Sequence, residues 1–86
     1  MSTVDLIRQR LTELQPLQLD IEDESALHAG HAGAAGGGGH YRMHIVSAAF
    51  VGLNTVARHR LIYAALGELM RTKIHALSID ARTPPE

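Results

Sequence analysis

Residues 40–47, HYRMHIVS, decide the fold because apolar and polar side chains alternate along them. Tyr41, Met43 and Ile45 fall on one face, and the polar residues between them fall on the other. A period of two residues is typical of a β-strand with one buried face. The segment therefore predicts a half-buried strand.

The chain after this strand predicts a helical crossover and a further strand. Ser47 can cap a short turn that Gly52 ends, and Asn54 or Thr55 can cap a long helix with Gly67 inside it. The apolar positions of that helix recur at steps of three and four residues: Val56, Ile62, Tyr63, Leu66, Leu69 and Met70. Residues 74–81 predict the next strand.

The chain before residues 40–47 predicts a helix followed by a strand. Ser2 or Thr3 can cap a first helix, which Pro16 stops. Residues 17–22, LQLDIE, alternate, so Leu17, Leu19 and Ile21 are expected to face the core.

These elements predict a single α+β domain over residues 1–86, in the order helix, strand, strand, helix, helix, strand. The first two strands form an antiparallel hairpin, and a right-handed helical crossover returns the third strand parallel to the second. The expected result is a three-stranded mixed sheet with helices on one face. Residues 83–86, TPPE, are expected to form an extended tail.

A segment rich in glycine, alanine and histidine separates the two strands of the hairpin. Residues 24–39 show no periodicity and end in four consecutive glycines, which predicts a long flexible loop. Glycine content alone favours a tolerated hairpin linker, whereas His28 and His31 favour a role in binding a partner or a metal.

Composition excludes several classes of site. The chain has no cysteine, so it has no disulfide, no thiol nucleophile and no cysteine ligand for a metal. Neither an amino-terminal leader nor an apolar run of about 18 residues is present, so a soluble cytoplasmic protein that does not enter membranes is expected. Ser25 and His28 lack an orienting third group, and the acidic residues predict a solvated face, so an enzyme is not expected.

Charge is distributed unevenly along the chain. Residues 1–39 carry two basic and six acidic side chains, whereas residues 40–86 carry six basic and three acidic ones. The candidate contacts for nucleic-acid phosphates are the basic residues of the predicted helices and of the turn before the last strand. They are Arg58, Arg60, Arg71 and Lys73.

From the residues alone, the histidines favour ordinary structural roles. His75 shares strand parity with Leu77 and Ile79, which predicts a half-buried histidine. His28 and His31 are spaced as His-x-x-His in the predicted loop, where water is expected to solvate them. The other three are not expected to bind a metal, because two lie on the polar strand face and one lies between two arginines: His40, His44 and His59.

Short motifs spread over nearly the whole chain change this interpretation, because their order and spacing resemble the BolA family. The family's fold resembles the class II KH fold, which agrees with the order of elements predicted above. The motifs are Asp23-Glu24-Ser25 with His28, His40-Tyr41-Arg42, Ile45-Val46-Ser47, Phe50-Val51-Gly52, Arg58-His59-Arg60, Tyr63, Leu66, and His75-Ala76-Leu77 with Thr83-Pro84.

The resemblance implies two functions. One is partnership with a monothiol glutaredoxin and its glutathione, in which the two proteins share a [2Fe-2S] cluster that the isolated chain does not hold. By this resemblance His75 is the expected metal ligand, His28 assists, and His31 is the fallback. The alternative is a DNA-binding transcriptional regulator of morphology and stress responses. Without its partner the chain is expected to be a monomer or a weak homodimer.

Overall fold

The computed structural model describes residues 1–28 and 38–85, apart from the side chains of Leu27 and His28. Three α-helices and three β-strands are present in this part of the chain, with 3₁₀ turns over Thr12–Leu14, Ser25–His28 and Ala48–Phe50. The helices are α1 (Thr3–Leu11), α2 (Thr55–Leu66) and α3 (Leu69–Thr72), and the strands are β1 (Gln18–Asp23), β2 (Gly39–Val46) and β3 (Ile74–Arg82). No helix among the described residues is long and apolar enough to cross a membrane.

The strands form one sheet in the order β1-β2-β3. β1 pairs with β2 antiparallel, with Leu19 opposite Ile45, and β2 pairs with β3 parallel, with Met43 opposite Ile79. The predicted α+β fold with a mixed three-stranded sheet is therefore confirmed.

Local capping explains where α1 and α2 begin. Ser2 and Asp5 form a capping box at the start of α1, and Asn54 accepts the backbone N–H of Ala57 at the start of α2. Ser47 accepts the N–H of Ala49 through its side chain and starts the turn after β2, as its position predicted.

The core lies between the helices and one face of the sheet. It combines buried residues of β2 with those of α1, α2 and the turn after β2, and Phe50 is fully buried. Its members are Ile7, Leu11, Leu14, Tyr41, Met43, Ile45, Phe50, Ile62, Ala65, Leu66, Leu69 and Ile74. On the opposite sheet face, Arg42 is exposed and His44 is half-buried.

Two expectations about individual elements were wrong. Leu17 does not face the core: β1 begins after it, and its side chain is 72% exposed. The predicted long helix is two helices, because Gly67 ends α2 at φ 55°, which an α-helix cannot continue through. Arg10 caps this break by donating to Leu66 O at 3.4 Å and to Glu68 Oε1 at 3.0 Å.

Candidate functional site

Topology brings separate histidine-containing segments to one end of the sheet. β2 and β3 are parallel, so both begin there, and the antiparallel β1 ends there. The turn Ser25–His28 follows β1 directly, and residues 38–40 and 74–75 open the other two strands. We call this end of the sheet, formed by Ser25, residues 38–40 and residues 74–75, the histidine end.

A β-bulge turns His75 out of the core. The register pairs Gly39 with Ile74 but His40 with Ala76, so His75 is an extra residue that no position of β2 opposes. Ile74 is buried on one side of the bulge while His75 is exposed. The half-buried position that parity predicted for His75 is therefore wrong, because the bulge interrupts the alternation.

The last two glycines of the predicted loop, Gly38 and Gly39, lie where a larger residue would crowd its neighbours. A Cβ atom added at Gly38 would lie 2.9 Å from both the Cβ and the backbone N of His75. One added at Gly39 would lie 2.5 Å from the hydroxyl of Tyr41, and the Gly39 N–H donates to Lys73 O at 3.1 Å. Gly38 thus allows a close approach to β3, and Gly39 leaves space for the Tyr41 side chain of its own strand, neither of which a flexible linker would require.

His40 lies beside His75 although the sequence predicted only a surface role for it. The two imidazole centroids are 5.1 Å apart, and the rings are tilted by 40°. The His40 backbone also holds the turn after β1, because its carbonyl accepts the Glu24 N–H at 2.8 Å and its N–H donates to Ser25 Oγ at 3.2 Å. Only the parallel register of β2 and β3 brings these two histidines together.

Charged groups surround this end of the sheet. Hydrogen bonds from the Ser25 side chain and then from its backbone N–H hold the pKa of Asp23 below its ordinary value. Arg42 forms an ion pair with Glu24 at 3.5 Å, next to the same turn. The turn that ends in His28 is therefore anchored to β2 at His40 and at Arg42.

The two other predicted metal ligands can be placed only in part. His28 closes the turn Ser25–His28, which the hydrogen bonds of Glu24 and Ser25 hold next to the start of β2, and its side chain is not described. His31 lies outside the described residues. Within the described ranges, no group of three or more histidine or acidic side chains could hold a metal ion.

The candidate nucleic-acid contacts do not all lie in similar environments. The Arg58 guanidinium is half-buried and donates to Leu53 O at 2.8 Å and to Ala81 O at 3.0 Å, which joins α2 to β3. Arg60, Arg71 and Lys73 are exposed. Arg71 and Lys73 lie directly before β3, whereas Arg60 lies on α2.

The remaining described histidines lie away from His75. His44 Nδ1 lies 2.9 Å from Asp80 Oδ2 on the open face of the sheet, and Arg82 Nε donates to the other oxygen of that carboxylate at 2.7 Å. Arg82 first and His44 second hold the pKa of Asp80 below its ordinary value. The ring of His59 contacts Tyr63 edge-on, with centroids 6.4 Å apart.

Comparisons with known proteins agree on one family. A family model described as BolA-like protein matches residues 11–86. A curated relative named "Protein BOLA1, chloroplastic", from Arabidopsis thaliana, is 49% identical over 84 residues, which are 93% of this chain and 52% of that protein. The chain thus spans about half of that relative's length.

A bacterial relative and a solved structure match over more of their own length. The protein named "DNA-binding transcriptional regulator BolA", from Haemophilus influenzae, is 40% identical and is matched over 100% of this chain and 82% of its own. The solved structure of BolA1 from Arabidopsis thaliana superposes with a TM-score of 0.83 at 45% identity, covering 98% of this chain and 94% of that one.

Proposed function

The chain belongs to the BolA-like family, and we propose that it binds a monothiol glutaredoxin and shares a [2Fe-2S] cluster with it through His75. The observation that carries this proposal is the bulge, which exposes the imidazole of His75 at the edge of the sheet. An exposed ligand on a paired strand can reach a group held by a second protein without local unfolding.

The donor atoms of the histidine end fit such a cluster. Neutral imidazole binds iron well, and exchanging a thiolate for it makes the cluster less negative. Because the described residues include no set of three ligands, a cluster bound at His75 needs further ligands. In the proposal the thiolates of the glutaredoxin and of its glutathione supply them. When bound, the cluster supplies one-electron redox chemistry and transferable iron and sulfide.

The first experiment is a titration of cluster-loaded monothiol glutaredoxin with this protein, followed by visible absorption and circular dichroism. We expect a spectral change that saturates at about one to one, because one exposed imidazole replaces one ligand of the cluster. With His75→Ala the change should be lost. His44→Ala is the matched control, since His44 is on the same sheet but pairs with Asp80.

Two outcomes would contradict parts of the proposal. No spectral change with the unmodified protein would rule out the shared cluster. An equal change with His75→Ala would instead rule out His75 as its ligand. The variants His28→Ala and His31→Ala, measured in the same way, then show which loop histidine assists.

DNA binding is the second candidate, supported by the name of the Haemophilus influenzae relative. Exposed Arg60, Arg71 and Lys73 are its candidate phosphate contacts, whereas Arg58 already donates to two backbone carbonyls. Replacing those three residues with glutamine should lower the slope of log K against log salt by about 0.9 for each phosphate contact removed. An unchanged slope would contradict their role, and Arg42→Gln, on the open face of the sheet, is the control.

A further inference from the structure

His40 has no role in the function proposed above, yet its ring is the one that contacts His75. The centroids of the two rings are 5.1 Å apart. His75 itself is a bulged residue on a strand at the edge of the sheet, exposed to solvent. A side chain in that position loses rotamer freedom when it binds a metal, which costs free energy. A neighbouring ring that already restricts the rotamers reduces this cost of binding.

The backbone of His40 is hydrogen-bonded to the turn that follows β1. Its carbonyl and its N–H are hydrogen-bonded to Glu24 and Ser25, in the turn after β1, and its neighbour across the sheet is Ala76. Ser25 in turn is hydrogen-bonded to Asp23, so the support extends into β1. The ring of His40 therefore projects from a fixed backbone.

The position of the His40 ring atoms favours support of His75 over direct coordination. The Nε2 atom of His40 is buried, whereas the His75 side chain is exposed. A metal that reached His75 from solvent would thus meet the His75 imidazole first. The ring centroids are 5.1 Å apart and the rings are tilted by 40°, so the His40 ring is a direct neighbour of the His75 ring.

We propose that His40 is a positioning residue that holds the imidazole of His75 in the orientation in which it binds the cluster. The inference rests on the proposed function for the identity of the bound group. The contact between the two rings is a property of the isolated chain and can be tested without the partner.

The experiment compares His40→Ala with His40→Phe, because phenylalanine keeps a ring at this position but cannot bind a metal. In the isolated protein, three-bond couplings of the His75 side chain should show one χ1 rotamer in the unmodified protein and in His40→Phe, and averaging in His40→Ala. In the titration with loaded glutaredoxin, His40→Ala should weaken binding by about threefold to tenfold, the cost of ordering one side chain. His40→Phe should retain most of the affinity.

Each contrary result overturns a defined part of the inference. An unchanged His75 coupling in His40→Ala would show that the ring contact does not order His75. His40 would instead be a ligand if two results were found together. Both variants would lose the same affinity, and pulsed EPR would show one fewer nitrogen coupled to the reduced cluster. His44→Phe, on the same strand and face, controls for the substitution itself. If the unmodified protein failed to bind the cluster, the proposed function would fail while the couplings still tested the contact.

Discussion

At the end of the sheet opposite the histidine end, polar side chains donate to backbone carbonyls and hold the fold together. Ser47 Oγ donates to Leu14 O at 2.6 Å, and Arg58 joins Leu53 O to Ala81 O. We call this region, formed by Leu14, Ser47, Leu53, Arg58 and residues 81–82, the serine end. At the histidine end, by contrast, the bulge exposes His75.

This difference shows that residue type alone does not separate structural from functional polar groups. Arg58, a charged residue in a family motif, has a guanidinium that is half-buried and hydrogen-bonded to carbonyls. His40, which alternation assigned to an ordinary surface, contacts the candidate ligand His75. What distinguishes them is the partner that the fold brings close: backbone carbonyls for the Arg58 guanidinium, and the imidazole of His75 for the His40 ring.

Ser47→Ala should give the largest loss of stability, because it removes the hydrogen bonds of the Ser47 hydroxyl that hold the serine end together. Ser47 is fully buried, and its hydroxyl donates to Leu14 O and accepts from Ala49 N, so alanine leaves two backbone groups without a partner. We expect the free energy of unfolding to fall by about 2–4 kcal/mol, measured by urea denaturation. Ser25→Ala, at the histidine end, should cost about 0.5–1.5 kcal/mol. Equal losses would contradict the comparison.

Gly38→Ala should distort the histidine end, because the added Cβ crowds the backbone and side chain of His75. Its Cβ would lie 2.9 Å from two atoms of His75, so one of the strands must shift. We expect a loss of about 1–3 kcal/mol, together with a changed amide chemical shift for His75.

Gly52→Ala is the matched control for that glycine. Gly52 has φ +81° and no atom within 4 Å of an added Cβ, so its substitution strains the backbone without crowding a neighbour. It should cost about 1–2 kcal/mol and leave the His75 amide unchanged. If Gly38→Ala also left that amide unchanged, the close approach of the strands would not be what positions His75.

Arg58→Met should sharpen the distinction between structural and solvent-facing arginines. It removes two hydrogen bonds from a charged donor while keeping much of the side-chain packing, so we expect a loss of about 1–3 kcal/mol in urea denaturation. Arg60→Met, on the same helix and exposed, should change stability by less than about 0.5 kcal/mol. The reverse order would show that Arg58 does not join α2 to β3.

Asp80→Asn tests the region between the two ends and should have the smallest effect. Hydrogen bonds from Arg82 and His44 lower the pKa of Asp80 from its ordinary value of 3.8. The ionised carboxylate therefore stabilises the folded state above pH 3.8, and this contribution is lost as the pH falls below that value through the folded-state pKa. The difference in urea midpoint between the protein and Asp80→Asn should be small at pH 7, because the group is exposed, and should vanish in acid. A difference that grew in acid would contradict the assignment.

Much of the architecture follows from local patterns in the sequence. The alternation of residues 40–47, the caps at Ser2, Ser47 and Asn54, and the order of the elements predicted the mixed sheet. These features depend on residues a few positions apart, which is why one sequence suffices to find them. The same short motifs, taken together, indicated the BolA-like family that the comparisons support.

The tertiary structure decided which polar residues are exposed, buried or in contact. The bulge that exposes His75 depends on the register between β2 and β3, and strand parity within β3 cannot reveal it. The second carbonyl bound by Arg58 lies 23 positions away along the chain, and the contact between His40 and His75 exists only because two parallel strands begin side by side. Local periodicity determines which face a side chain would take in a regular element, whereas strand register, which distant residues set, determines where the regular element is interrupted.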